Sequence, residues 1–282
     1  MAGPENGFAP PRINGAMPNG LETLCRELKA KVDTFLDEPT EDEVLNSVKN
    51  QIIIARGVID ESLRRYRPEE LSLSYNGGKD CLVLLILILA SLPSSSSLQS
   101  SSSHQPPLSS CTQPPFPTRL QALYIRPPLP FAEVDDFVTA TSKTYHLDLT
   151  TSNQAMKPAL TAYLKERPEV KAVFVGTRRT DPHGAYLTFF DETDSDWPRF
   201  MRIHPVIDWH YREVWGFIRA LGIQYCPLYD MGYTSLGGTD DTHPNPALKE
   251  QVNGSSNKVV EQHFRPAYEL TEDREERLGR DR

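Results

Sequence analysis

No stretch of this sequence is apolar for long enough to cross a bilayer as a helix: its most apolar run, Leu82 to Ala90, is about half the roughly 20 residues required. That run predicts a buried helix instead. Cysteine is scarce and scattered. Cys25, Cys81, Cys111 and Cys226 form no CxxC pair, so neither a disulfide framework nor a zinc cluster is signalled, and a reducing compartment, the cytoplasm, is expected. Positive charge is in short supply too. Thirty Lys and Arg against 38 Asp and Glu leave a formal charge of −8, which argues against a broad electrostatic grip on nucleic acid or an anionic membrane. Any phosphate site must therefore be local. Residues Met1 to Gly20 hold Pro, Gly and Asn without an apolar core, so a disordered leader is expected there rather than a secretion signal.

What is present reads as alternating strands and helices. Apolar residues recur at helical spacing from Leu21 to Phe35 and from Glu41 to Tyr66, with Pro39 and Thr40 between them, which predicts two N-terminal helices. The run Leu71 to Tyr75 predicts a strand that ends in Asn76, Gly77 and Gly78 and passes into the helix beginning near Asp80. Between Pro93 and Thr118, Ser, Pro and Gln dominate; with so few apolar residues to offset the entropy of ordering, this is expected to be a flexible surface insertion. Beyond it come strand Leu120 to Ile125, helix Phe131 to Tyr145, a short strand near Leu147, helix Gln154 to Arg167, strand Lys171 to Val175 and helix Tyr211 to Leu221. Turn-rich segments follow around Gly237, Gly238 and Pro244 to Pro246, then a charged tail from Glu269 with helical potential. The alternation predicts one α/β domain over residues 21–282, a doubly wound, mostly parallel sheet covered on both faces.

The segment SYNGGKD, Ser74 to Asp80, falls where such a sheet binds ligands, beyond the carboxyl end of a strand and at the start of a helix. A bare GG pair there more often marks a tight turn. Here Ser74, Asn76, Lys79 and Asp80 add hydroxyl, amide, ammonium and carboxylate groups around Gly77 and Gly78, a clustering that points to phosphate bound by loop N–H groups and a helix N-terminus. The spacing is not GxxxxGK followed by Ser or Thr, so a Walker-type NTPase is disfavoured. The loop resembles instead the SGGKD-like loop of enzymes that cut ATP between its α and β phosphates, which implies adenylyl transfer.

A second candidate loop is GTRRTDPHG, Gly176 to Gly184, at the end of the strand Lys171 to Val175 and so facing the same crevice. Arg178 and Arg179 could clasp phosphates there and Asp181 could accept from a ring N–H or a hydroxyl, although an Arg pair by itself is more often a solvated surface feature. All three tryptophans fall between Asp194 and Trp215. Trp215 shares helical spacing with Ile218 and belongs to a core; Trp197, in a polar loop, is open to packing or to stacking on a flat ring.

Taken in order, SYNGGKD, VGTRRTDPHG, DSDWPRFMRIHPVIDW, PLYDMGYTSLGG with PNPAL, and EERLGR resemble the eukaryotic FAD synthases, FMN adenylyltransferases similar to the phosphoadenylylsulfate reductase family. The resemblance covers Leu71 to Arg282 apart from the Ser/Pro insertion. It implies ATP and FMN as substrates, FAD as product and Mg²⁺ as the accompanying metal. By position it assigns Asn76, Asp80, Arg277 and Arg280 to catalysis, with Asp80 at the metal. Ser74, Gly77, Gly78, Lys79 and Ile125 fall to ATP, and Thr177, Arg178, Asp181, Asp194, Ser195, Asp196, Trp197 and Arg202 to the flavin. Of the cations, Lys79 is our own addition. Arg277 and Arg280, three residues apart, would share one side of a helical turn and one anionic target. Arg126, after the strand Leu120 to Ile125, departs from the neutral or acidic residue expected near adenosine. A monomer without nucleic-acid or membrane partners is expected.

In that chemistry the FMN phosphate, already anionic, attacks the α-phosphorus of ATP in line, so no general base is required and the protein has to align two anions. The rival on the same scaffold, a sulfonucleotide reductase, needs a reactive thiol in the C-terminal segment; no cysteine follows Cys226. An ATP pyrophosphatase acting on tRNA finds little support in the acidic balance. A non-catalytic flavin- or nucleotide-binding module is the reading from another class.

Overall fold

The computed structural model describes residues 20–92, 118–250 and 263–281. All but the last residue of the expected leader, and all but the last residue of the expected insertion, lie outside the described residues.

Helices α1 (Leu21–Asp37) and α2 (Glu43–Arg65) come first. Asp42 caps α2, its carboxylate accepting from the backbone N–H groups of Val44 at 2.8 Å and Leu45 at 3.0 Å, which satisfies two donors that the first helical turn leaves orphaned. Strand β1 (Leu71–Ser74) leads through the glycine loop into α3 (Lys79–Ser91). As the apolar run predicts, α3 is the central helix: every residue from Leu82 to Ala90 is buried, because α1, α2 and α6 pack around it. Removing each Leu or Ile of that run from water contributes about 1.5–3 kcal/mol.

The chain continues through β2 (Leu120–Ile125), α4 (Ala132–Thr144), β3 (Leu147–Ser152), α5 (Met156–Glu166) and β4 (Ala172–Phe174). Two further strands, β5 (Phe190–Glu192) and β6 (Met201–Ile203), precede α6 (Tyr211–Ala220). The sheet order is β3-β2-β1-β4-β6-β5. All neighbours are parallel except the edge pair β5 and β6, a doubly wound, mostly parallel sheet as the alternation predicts. The chain moves outward from β1 to β2 and β3 and then returns to place β4 on the other flank of β1, so the sheet switches direction between β1 and β4. Ligands collect beyond the strand ends at such a point.

Strands β5 and β6 are absent from the sequence reading: each is three residues long, too short for an alternating pattern to register. The C-terminal segment also differs from expectation. In place of a helix it forms two short 3₁₀ turns, Ala267–Glu269 and Asp273–Glu275, followed by a turn in which the Arg280 N–H donates to the Arg277 carbonyl at 3.0 Å. One of its acids, Glu276, is drawn inward to the buried cations Lys79 and Arg178, a tertiary contact that outweighs helical propensity. Among the described residues no helix is long and apolar enough to cross a membrane, and the main hydrophobic core includes residues from Leu21 to Leu270.

Candidate functional site

The glycine loop is held open by its own chemistry. The Asn76 side-chain oxygen accepts from the Gly78 N–H at 2.9 Å, an Asx-type turn that sets the chain for helix entry. Gly77 sits at φ +73°, and a Cβ there would stand 2.8 Å from Cγ2 of Val138, so both conformation and space call for glycine. Gly78, at the N-cap of α3, offers no side chain to the first turn, and the Lys79 N–H donates to the Tyr229 hydroxyl at 2.8 Å.

Behind the loop lies a buried network of two cations and two carboxylates. Lys79 Nζ lies 3.1 Å from Asp80 Oδ2 and also donates to Glu276. Arg178 Nε lies 2.8 Å from Asp80 Oδ1, and its Nη2 donates to the other Glu276 oxygen. Arg178 is fully buried, as are Lys79 and Glu276 nearly so. Burial by itself would raise the Asp80 carboxyl, but Arg178 and Lys79 beside it hold it below the usual carboxylate range. Burial likewise disfavours the Lys79 ammonium, yet Asp80 and Glu276 overcome this and keep it charged. Every buried charge thus has an opposite partner, as burial demands.

On the open side is a cavity of about 230 Å³ whose lining includes Ser74, Asn76, Asp80, Asp181, Arg277 and Arg280. Gly78, Lys79 and Thr177 also contribute to its wall. Three sequence segments far apart along the chain therefore converge on one space. Asp181 stands at its mouth, one carboxylate oxygen accepting from the Arg178 N–H at 2.8 Å. Arg280 is braced by Asp241, 2.7 Å away, and by the Leu236 carbonyl at 3.0 Å, and its guanidinium packs on Gly237, where any Cβ would collide with it. Arg277 is exposed and has no carboxylate partner among the described residues. A second chamber of about 170 Å³ shares Asn76 and Leu236 with the first and is faced by Tyr124, Ile125, Phe131 and Val134. Ile125 lies here, at the end of β2.

Other expected contacts fall differently. Lys79 and Arg178 are engaged with Asp80 and Glu276, so neither is a free cation for a phosphate, and Arg178 turns inward, away from any flavin. Arg179, the other half of the pair, bonds Asp208 at 2.6 Å and the carbonyls of Ala185 and Leu187, which ties down its own loop instead of clasping phosphate. Asp194, Ser195 and Asp196 form an exposed turn, closed by the Trp197 N–H donating to the Asp194 carbonyl at 2.9 Å. Asp196 pairs with Lys157 at 3.0 Å, and Lys157 lies 5.9 Å above the half-buried Trp197 ring, which also packs on the cluster around Leu160. Arg202, in β6, donates to the Glu192 carbonyl at 3.0 Å. This turn and Arg202 are outside the 230 Å³ cavity lining. Glu276 and Tyr229 are site residues that sequence reasoning missed. Each sits inside a quoted motif, Tyr229 in PLYDMGYTSLGG and Glu276 in EERLGR next to Arg277, which is the signal that could have found them.

A Mg²⁺ site built by the protein does not fit these residues. Both Asp80 oxygens face cations, and among the described residues no group of three or more His, Cys, Asp or Glu could hold a metal.

A glycine loop at a strand end, paired with a second loop across the switch point and closed by tail arginines, defines a nucleotide-binding α/β protein of the non-Walker kind. Comparison with known proteins narrows this. Residues 70–244 match the phosphoadenosine phosphosulfate reductase domain family. A probable FAD synthase of Schizosaccharomyces pombe is 40% identical over 238 residues, 84% of this chain and 82% of that protein. The flavin adenine dinucleotide synthase of Saccharomyces cerevisiae is 32% identical over 82% of this chain and 76% of that protein. The crystal structure of Candida glabrata FMN adenylyltransferase in complex with FAD and inorganic pyrophosphate superposes with a TM-score of 0.83 at 28% identity, covering 95% of this chain and 99% of that one. The chain belongs to the FAD synthases, nucleotidyltransferases built on the phosphoadenosine phosphosulfate reductase domain.

Proposed function

We propose that this chain condenses ATP with FMN, giving FAD and pyrophosphate, at the cavity between the Asn76 loop, the Asp181 loop and the C-terminal turn. The single observation that carries the assignment of residues is that Asn76, Asp80, Asp181, Arg277 and Arg280 line one space. The Candida glabrata relative has been crystallised with FMN and the ATP analogue AMPCPP, the pair of ligands this reading requires.

In this reading the adenosine enters the chamber beside Ile125 and Phe131, whose apolar walls and exposed strand end suit a purine. The triphosphate then crosses Asn76 into the larger cavity, over Gly77 and the positive end of the α3 dipole. Arg277, which has no carboxylate partner among the described residues, meets the phosphates directly; Arg280, held by Asp241, contributes charge from a fixed position. The flavin approaches past Asp181, whose second carboxylate oxygen accepts a ring N–H or hydroxyl, with Trp197 and Arg202 toward its far end. The FMN phosphate attacks the α-phosphorus while pyrophosphate departs opposite it. The buried network around Asp80 fixes the loop and tail on which alignment depends. Mg²⁺ arrives as part of the MgATP substrate, carried on its phosphate oxygens.

A thiol-dependent reduction at this cavity is disfavoured. Cys81 lines it, but burial, with Asp80 adding to it, pushes the thiol up to about 12, far from the thiolate such chemistry requires. The free thiols of Cys25, Cys81 and Cys226 suit the cytoplasm. Incubation with MgATP and FMN, followed by mass analysis of the product and a pyrophosphate assay, tests the reading. FAD and stoichiometric pyrophosphate are expected; Asp80→Ala is expected to abolish both while FMN binding survives. Absence of FAD from the unaltered chain would refute the function, and normal turnover by Asp80→Ala would refute that residue's part in it.

A further inference from the structure

The C-terminal segment turns one acid, Glu276, to the interior and two bases, Arg277 and Arg280, to the cavity. Its buried acid, Glu276, reaches two different loops at once: one oxygen accepts from Lys79 at the start of α3, the other from Arg178 in the loop after β4. The backbone of the same residue is gripped as well. Its carbonyl accepts from the Thr234 hydroxyl at 2.6 Å, and Asn245 donates to that hydroxyl and to the Glu275 carbonyl, both at 2.8 Å. One turn earlier, Asp273 accepts from the Tyr211 N–H at 2.6 Å and lies 2.5 Å from His210 Nδ1. The residue after Glu276 is Arg277, and the turn it begins ends at Arg280.

We infer that Glu276 is a positioning residue for adenylyl transfer, locking the turn that presents Arg277 and Arg280 to the reacting phosphates. Both its oxygens are occupied by cations, so it acts through the arginines and not on substrate. A carboxylate suits the task because it can join the phosphate loop, the Asp181 loop and the tail at one point. With it removed, each of the three would move separately, and misplacement of about 1 Å is enough to cost a large part of the turnover. The inference rests on the function proposed above, in which the tail arginines serve the phosphates.

Steady-state kinetics with MgATP and FMN on the full chain test it. Glu276→Gln keeps the shape but loses the charge; kcat is expected to fall at least about tenfold with KM for FMN within about twofold, the split that marks an interaction made in the transition state. Combined with Arg277→Ala, it should lose clearly less than the product of the two single losses, the remainder being its effect through Arg280, because residues acting as a unit are non-additive. A kcat within about twofold of the parent, or losses that multiply in the double variant, would overturn the proposal. Thr234→Val, which releases the Glu276 carbonyl and one Asn245 donor, provides the same test if Glu276→Gln does not fold: a several-fold fall in kcat that shrinks in an Arg277→Ala background is expected, and unchanged or multiplying losses again overturn it. Full turnover by Arg277→Ala itself would instead strike at the functional reading, leaving the two failures distinguishable.

Discussion

Replacing Arg178 by methionine is the sharpest perturbation of the buried network. The guanidinium is fully buried and stands 2.8 Å from Asp80, a separation at which a pair attracts by about 6 kcal/mol at an effective dielectric near 20. Most of that is offset by the cost of taking the charges out of water, so the pair's net worth is small, but losing one member is a different matter. Methionine leaves two carboxylates, Asp80 and Glu276, facing Lys79 alone, and an uncompensated buried charge costs about 3–5 kcal/mol. For a chain of this size that is a fall in Tm of roughly 6–20 °C. Adding Glu276→Gln restores neutrality with Lys79 and Asp80, so the double variant should be more stable than the sum of the single losses by about 1 kcal/mol or more. Urea denaturation followed by circular dichroism measures both. A loss under about 1 kcal/mol for Arg178→Met, or strict additivity in the double variant, would show that water reaches these charges and that the tail does not seal them.

Three further outcomes are expected. Arg277→Ala should lower kcat by about 10²-fold or more while FMN affinity, read by flavin fluorescence, changes little; a selective loss of FMN binding would place that arginine elsewhere. Gly77→Ala should destabilise by about 1–3 kcal/mol, from the positive φ and the approach to Val138, and raise KM for ATP; a neutral substitution would mean the loop is free to rearrange. His204 sets a pH dependence. Burial pushes its ring below the ordinary histidine range, while the Thr188 carbonyl and Asp191 oppose this only in part. The unfolded chain therefore binds the proton more readily, and this contribution is full above about pH 6.5 and is lost as pH falls below it. His204→Gln should flatten the stability difference between pH 7.5 and 5.5 in urea titrations; an unchanged slope would assign that dependence to other groups.

Much of the molecule was legible before any coordinates, for reasons that differ from part to part. The α3 run has a single physical solution, burial on all sides. The loop Asn76 to Gly78 could be placed because glycines after a strand and before a helix serve few purposes. The convergence of the Asn76 and Asp181 loops follows from parallel topology, which brings strand ends together, whereas that of the Arg277 segment rests on the family resemblance. What escaped depends on tertiary partners. Nothing in the adjacent pair Arg178 and Arg179 says which turns inward, since Glu276, nearly a hundred residues on, decides it. Lys79 was assigned to phosphate on its position in the loop, whereas its buried ammonium is claimed by two acids. The tail's charge pattern suggests a helix, but it carries no sign that Glu276 is claimed by cations on two separate loops.

The parallel sheet also separates what must stay from what is free to change. The Asn76 and Asp181 loops of the cavity leave from the carboxyl ends of β1 and β4, while the Ser/Pro-rich stretch is inserted where α3 ends and β2 begins. Leu92 and Arg119, its described flanks, meet Leu71 and Leu120 at the opposite rim of the sheet, the length of a thirteen-residue helix or about 20 Å from the chemistry. Closing a longer or shorter connection there changes the free energy by only a fraction of a kcal/mol per doubling. That rim is accordingly the place where such an enzyme can gain or lose sequence, or accept a grafted tag, with its catalytic pole untouched.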